Sequence, residues 1–180
     1  MVSCGRLLIG PSGEAFFNRP INNRPQVNNL VTNQVNNLPY NRIIPMISHE
    51  TSFRVRYAET DQMGVVYYAN YLIWMELGRV EYCRAAGVRY KDMEVDDGVQ
   101  LAVVDAHCRY IYPARYDEEI TVKTWIARAN RRMIEFHYEM RESPSARKLA
   151  TGETKHIFLG SDMKPVKLPE KYFEAFGVVY

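Results

Sequence analysis

The sequence predicts an α+β domain in which a five-stranded antiparallel sheet wraps around one long central helix. Three observations carry this expectation. The elements run strand, long helix, then four strands in antiparallel succession. One of those strands, Ile134, Phe136, Tyr138 and Met140 against Glu135, His137, Glu139 and Arg141, alternates without a break. Finally, the lengths match. A helix over residues 70–86 is about 26 Å long at ~1.5 Å per residue. Strands of roughly ten residues exceed that span at ~3.3 Å each, so a curved sheet can cover the whole helix.

The first strand is read from Thr51, Phe53, Val55 and Tyr57, which alternate with Ser52, Arg54 and Arg56. Residues 58–69 form a loop containing Gly64. The helix starts with Asn70 or Ala69 near its cap and stops at Gly87. Its inner face is Tyr71, Trp74, Met75, Gly78 and Tyr82. A mid-helix glycine costs ~1 kcal/mol against alanine, and close approach of another backbone at Gly78 is the expected compensation. The next strand presents Ala102, Val104, Ala106, Cys108, Tyr110 and Tyr112 on one face. It is followed by Ile120, Val122, Thr124 and Ile126, by the Ile134 strand, and by residues 148–159. Pro113, Asn130 and Ser143-Pro144-Ser145 mark the turns. A short helix over 169–176 closes the domain, with Pro169 suited to its first turn.

Composition is that of a globular chain, 47% hydrophobic and 24% charged, but it is uneven along the sequence. Nine of the eleven Asn lie in residues 1–48, with four Arg and one acid, Glu14. Residues 49–180 are left with 19 basic and 20 acidic side chains, so the net charge of +2 belongs to the leader. The body has no basic excess to hold a nucleic acid. Two domains are therefore expected: an Asn-rich leader, 1–48, and a folded body, 49–180. The leader carries Val27-Asn28-Asn29-Leu30 and repeats it as Val35-Asn36-Asn37-Leu38, with too few large apolar groups to offset the entropy of ordering. It reads as disordered, with a targeting segment or a start at Met46 as alternatives.

Cys4, Cys83 and Cys108 show no ligand or disulfide spacing. They read as free thiols in a reducing compartment, and a cytoplasmic location is expected. The most apolar segment, 64–75, is broken by Asn70 and far short of the ~20 residues of a membrane span. His107, His137 and His156 lie on strands without ligand spacing, so no metal site is expected.

The most informative segment is residues 57–71, YAETDQMGVVYYANY. It sets the Asp61 carboxylate a few residues before a helix N-terminus, where free N–H groups attract negative charge. A base beside such donors is what acyl hydrolysis needs. From the residues alone, Asp61 as a turn or capping residue is the simpler reading, and both stay open.

The pattern T-D-x-x-G-V-V-Y-x-x-N-Y, followed by a helix bearing Glu76 and Arg79, resembles the hot-dog-fold acyl-CoA thioesterases of the 4-hydroxybenzoyl-CoA thioesterase family. The likeness covers about Thr51 to Phe176, including Tyr112-Pro113 and Tyr116-Asp117. The resemblance implies that Asp61 is the catalytic aspartate, nucleophile or general base. It implies that Tyr68 supplies, from the helix N-terminus, the backbone N–H that polarises the thioester carbonyl. Some members carry His at that position; here a side-chain imidazole is unavailable. Gly64 matches the glycine that lets the loop pass close to substrate. The family uses no metal or redox cofactor, so no cofactor is expected. The resemblance further implies a homodimer or homotetramer, with sheets joined edge to edge and the site between protomers.

Arg128, Arg131 and Arg132 flank the turn at Asn130. They read either as a solvated hairpin tip or, by likeness to related thioesterases, as a site for the CoA phosphates, with Arg131 and Arg132 ahead of Arg128. Glu76 is a reserve acid, more simply explained as a partner of Arg79. Tyr68, Tyr71 and Trp74 read as core and dimer contacts. The expected function is hydrolysis of an acyl-CoA to acid and CoA; the alternatives are a hot-dog hydratase and a non-catalytic acyl-thioester sensor. A hydratase would need an Asp/His or His/Glu pair, and no His occurs between His49 and His107.

Overall fold

A computed structural model of the chain describes residues 48–178. The Asn-rich leader, the alternative start at Met46 and Cys4 lie outside the described residues. Five strands and three α-helices follow in the order β1 (Ser48–Arg54), α1 (Asn70–Ala85), α2 (Tyr90–Asp96), β2 (Val99–Tyr110), β3 (Glu119–Ala129), β4 (Met133–Ser143), β5 (Lys148–Gly160) and α3 (Phe173–Phe176). The strands form one sheet in the order β1-β3-β4-β5-β2, with every neighbouring pair antiparallel.

The four later strands are not one succession. β3, β4 and β5 are joined by hairpins, but β2 lies on the far edge beside β5, and β3 pairs with β1. The crossing connection is fastened as it passes the start of α1. The Ala114 N–H donates to the Tyr71 hydroxyl at 3.0 Å, and its carbonyl accepts the Val66 N–H at 2.8 Å.

β4 behaves as its alternation predicts, with Ile134, Phe136, Tyr138 and Met140 all buried. β2 does not. Val99 is buried and Leu101 packs on the core, then the register breaks between Val103 and Asp105. This bulge leaves both Val103 and Val104 exposed. Beyond it Cys108 and, past the strand end, Tyr112 pack against the core. The uninterrupted Ala102-to-Tyr112 face is therefore corrected: one extra residue reverses the inside and outside of the strand. Tyr57 is also corrected. The strand ends at Arg54, Val55 stays buried, and Tyr57 lies exposed in a 3-10 turn (Tyr57–Glu59). The short α2 has no counterpart in the sequence reading; it buries Met93 and precedes β2.

Helix α1 buries Tyr71, Trp74, Met75, Gly78, Tyr82 and Cys83, the expected face with one addition. Gly87 ends it with φ +80°, a conformation that suits glycine. Two glycines set its distance from the sheet. A Cβ on Gly78 would lie 2.5 Å from Thr124 Oγ1 and 2.8 Å from Val122 Cγ1. Close approach is thus the reason for Gly78, but it is made by β3 side chains rather than by backbone. On β5, a Cβ on Gly152 would lie 2.0 Å from Met75 Cε and 2.8 Å from the His107 carbonyl oxygen.

Beneath the helix the core is partly polar. Tyr138 Oη bonds Thr154 Oγ1 at 2.7 Å, and Thr154 Oγ1 bonds His156 Nε2 at 2.8 Å. Burial first, and then the positive charge of Arg79, push the His156 pKa down to about 3, so the ring is neutral at physiological pH. No helix among the described residues is long and apolar enough to cross a membrane.

Gly78→Ala gains about 1 kcal/mol of helix propensity but overpacks β3, which typically costs about 1–3 kcal/mol. We expect a net loss of stability, read as a lower urea midpoint at unchanged m-value.

Candidate active site

The segment between β1 and α1 is a small hairpin. Thr60 bridges Val66, the Asp61 N–H donates to Val65 O at 2.9 Å, and the Tyr67 N–H donates to Glu59 O at 2.8 Å. Gly64 forms the tip at φ +72°, and a Cβ at this position would meet nothing within 4 Å, so it is a turn glycine required by backbone geometry.

The base of the hairpin is held by Glu59, which is 4% exposed. Its carboxylate accepts the Arg56 N–H at 2.7 Å, the Arg56 guanidinium at 3.1 Å and the Trp74 indole N–H at 3.0 Å. Its carbonyl also accepts Asn70 Nδ2 at 2.8 Å. Asn70 therefore ties the helix start back to the loop and makes no N-cap bond. Burial works to raise the Glu59 pKa, but the bonds from the Arg56 side chain and backbone and from Trp74 outweigh it and hold the group below the usual carboxylate range. Glu59 is an ionised, fully engaged anchor. The sequence reading passed over it; the signal was an acid three residues after Arg56 and fifteen before Trp74.

Asp61 stands apart from this anchor. Its Oδ1 accepts the Met63 N–H at 2.8 Å and its carbonyl accepts the Gly64 N–H at 2.9 Å, which confirms the turn role. Its Oδ2 accepts no hydrogen bond among the described residues, and the side chain is partly exposed. One carboxylate oxygen fixes the orientation while the other stays open.

At the start of α1 the Asn70 N–H donates to Tyr67 O at 2.9 Å and the Tyr110 hydroxyl donates to Tyr68 O at 3.1 Å. These bonds fix the peptide planes on either side of Tyr68. Neither the Tyr68 nor the Ala69 N–H, in the turn that leads into α1, has an acceptor among the described residues. Burial first, then Cys108, raise the Tyr110 pKa, so its hydroxyl stays protonated and able to donate. The Tyr68 ring is exposed, tilted against Tyr67 at 4.5 Å and edge-on to Tyr110 at 6.4 Å. Tyr71 and Trp74 are buried, in keeping with their reading as core.

The arginines lie elsewhere. Asn130 Oδ1 accepts the Arg132 and Met133 N–H groups at 2.8 and 3.0 Å, forming the β3–β4 turn. Arg131 lies with its guanidinium 5.5 Å from the Phe173 ring of α3, and its carbonyl accepts the Leu168 N–H at 2.8 Å. Arg128 follows a register break after Ile126, and all three arginines are exposed. This turn and the Asp61 hairpin flank opposite ends of β3, which spans 11 residues, roughly 35 Å at ~3.3 Å each. The fold thus joins Asp61, Gly64 and Tyr68 on one segment and does not bring the arginines to them within a protomer. Glu76 is exposed and makes no ion pair with Arg79, which turns inward to the Tyr138 hydroxyl at 3.4 Å.

A sequence profile of the thioesterase-like superfamily matches residues 55–176. YneP of Bacillus subtilis strain 168, provisionally named an acyl-CoA thioesterase, is 39% identical over 119 residues, covering 66% of this chain and 85% of that one. The acyl-CoA thioesterase YbgC of Haemophilus influenzae is 29% identical over 133 residues, covering 73% and 97%. The crystal structure of a DHNA-CoA thioesterase from Staphylococcus aureus matches with a TM-score of 0.70 at 34% identity, over 73% of this chain and 90% of that one. The chain belongs to the thioesterase-like superfamily. It has the hot-dog fold and is a thioester hydrolase.

Glu59→Gln keeps the size of the anchor but removes its charge, and should lower stability by about 1–3 kcal/mol at neutral pH. Because the folded pKa of Glu59 is depressed, its contribution is present above the unfolded value of about 4.3 and is lost as pH falls through the folded value. Chemical denaturation at pH 7 and pH 3 should show a smaller gap between wild type and variant at the lower pH.

Proposed function

We propose that the protein hydrolyses an acyl-CoA thioester to the free acid and CoA, with Asp61 as nucleophile or general base and the Tyr68 N–H as the oxyanion donor. The observation that carries this reading is the pairing, on one braced segment, of a carboxylate oxygen and a backbone N–H just before α1, neither of which has a hydrogen-bond partner among the described residues. The thioester carbonyl oxygen accepts the Tyr68 N–H. Asp61 Oδ2 then attacks the carbonyl carbon, expelling the CoA thiolate and leaving a mixed anhydride that water opens, or it takes a proton from an attacking water. In either course negative charge grows on the oxygen facing the Tyr68 N–H, where one fixed donor is worth about 10²–10³ in rate.

The CoA phosphates are assigned to Arg131 and Arg132, with Arg128 behind them, and this assignment requires a second protomer. β2 is an open edge, with Val103, Val104, Tyr110 and the following Ile111 exposed, and α1 exposes Leu72, Ile73 and Leu77. Such an apolar edge favours pairing with a copy of itself. Antiparallel pairing of two β2 edges reverses one sheet against the other. The Asp61 end of one protomer then lies beside the Asn130-turn end of its partner. A homodimer built in this way, or a homotetramer of two such dimers, completes the site.

Thiol release over a panel of acyl-CoAs tests the activity. We expect Asp61→Asn to lower kcat by about 10³-fold or more while keeping the fold and acyl-CoA binding. Activity in that variant would remove the assignment, and binding without turnover in the wild type would leave a sensor. Reversing Arg131 and Arg132 to Glu should raise KM far more than it lowers kcat. Co-expressing the two variants should restore about a quarter of wild-type sites if each site takes Asp61 and the arginines from different protomers. No recovery would put Asp61 and the arginines of a site on the same protomer, and an unchanged KM in the arginine variant would place them outside the site.

A further inference from the structure

We propose that the outer face of the sheet carries a divalent-metal site of zinc class formed by Glu135, His137 and Glu153, separate from the hydrolytic hairpin. The three donors come from adjacent strands. Glu135 and His137 are two residues apart on β4, on the face turned away from the core that Ile134, Phe136 and Tyr138 fill. Glu153 is the register partner of His137 on β5. His137 Nε2 lies 2.8 Å from Glu135 Oε1 and 3.7 Å from Glu153 Oε2, and the three ligand atoms lie within 4.8 Å of one another.

Those separations suit a common metal. Ligand bonds of ~2.0–2.1 Å at a tetrahedral centre put neighbouring donors roughly 3.3 Å apart, between the two distances seen here. One imidazole nitrogen with two carboxylate oxygens is an N/O set that such an ion accepts. The electrostatics point the same way. Two carboxylates converge on a ring that is neutral when it serves as a ligand, and Glu135 is only 9% exposed. The neighbouring cations make no direct ion pair with either carboxylate, although Glu135 and Glu153 both act on the charge of Lys155. Lys155, opposite Glu135 on β5, is taken up by Asp105 at 2.9 Å. Arg128, opposite Glu135 on β3, makes no ion pair with it. A divalent ion would balance the two charges directly.

The site is also preformed. Strand positions fix all three Cα atoms, and the Trp125 ring, opposite on β3, lies edge-on to the His137 ring at 5.7 Å. His137 and Glu153 are partly exposed on the solvent side, so the fourth coordination position opens outward and takes water. No spacing in the sequence announces this site, because its ligands meet across two strands.

The test is calorimetric titration of the full chain with zinc chloride alone, beside His137→Ala, Glu153→Gln and the control His49→Ala. We expect one ion per chain, at least tenfold weaker binding in the first two variants, and unchanged binding in the control. Cobalt(II) should give the visible d–d bands of a four-coordinate site in the wild type, and these should be absent in Glu153→Gln, an isosteric change that keeps the strand. Absence of zinc binding, or equal binding in wild type and both ligand variants, overturns the proposal. It would leave the cluster as a histidine hydrogen-bonded to Glu135 beside Glu153.

Discussion

The hairpin between β1 and α1 is anchored at its base by one carboxylate. Glu59 accepts hydrogen bonds from the backbone and side chain of Arg56, where the chain leaves β1, and from Trp74, one turn into α1. A buried charge is tolerated only where its lone pairs are occupied, and here three donors occupy them. Its own carbonyl serves both Tyr67 and Asn70. Strand, hairpin and helix are therefore fixed to a single residue, which leaves Asp61 free of structural duty on one oxygen. The two acids of the loop divide the work: Glu59 holds the frame, and Asp61 is presented by it.

Much of the fold was legible because burial on one face of a sheet imprints a period of two. Ile134 to Met140 shows this best, and Ile120, Val122 and Thr124 are buried as their alternation suggests. The pattern failed where geometry breaks the period. The bulge after Val103 makes Val99 and Leu101 the inward residues of the first half of β2, where Ala102 and Val104 were expected, while Cys108 and Tyr112 beyond it keep the expected face. The 3-10 turn carried Tyr57 out to solvent. Partner choice was illegible for a different reason. That β2 would pair with β5 rather than β3 depends on the path of residues 111–118 past Tyr71, which alternation does not encode.

The candidate site divides along the same line. Asp61, Gly64 and Tyr68 are close in sequence, and the resemblance of that one segment to a family motif, rather than the residues alone, singled them out. The hairpin bonds, the φ of Gly64 and the orientation of the Tyr68 peptide then give them physical content. Glu59 was missed because its importance comes from Trp74, a residue in another element. The arginines at the Asn130 turn were readable as a charged cluster, but their distance from Asp61 required the sheet. Sequence proximity locates a loop; only the fold reveals which end of the sheet it occupies.

The notches at Gly78 and Gly152 bear on how such a sequence can drift. Each glycine is matched to a particular neighbour: Gly78 to Val122 and Thr124, Gly152 to the Met75 side chain and the His107 carbonyl. Enlarging either one in isolation pushes the helix off the sheet that surrounds it. At Gly78, growth is open only alongside shrinkage at Val122 or Thr124. At Gly152, the Met75 end can yield but the His107 carbonyl cannot, so that position is closed more firmly. Among descendants of this chain the helix–sheet contact would then diverge in linked steps at Gly78 and stay frozen at Gly152.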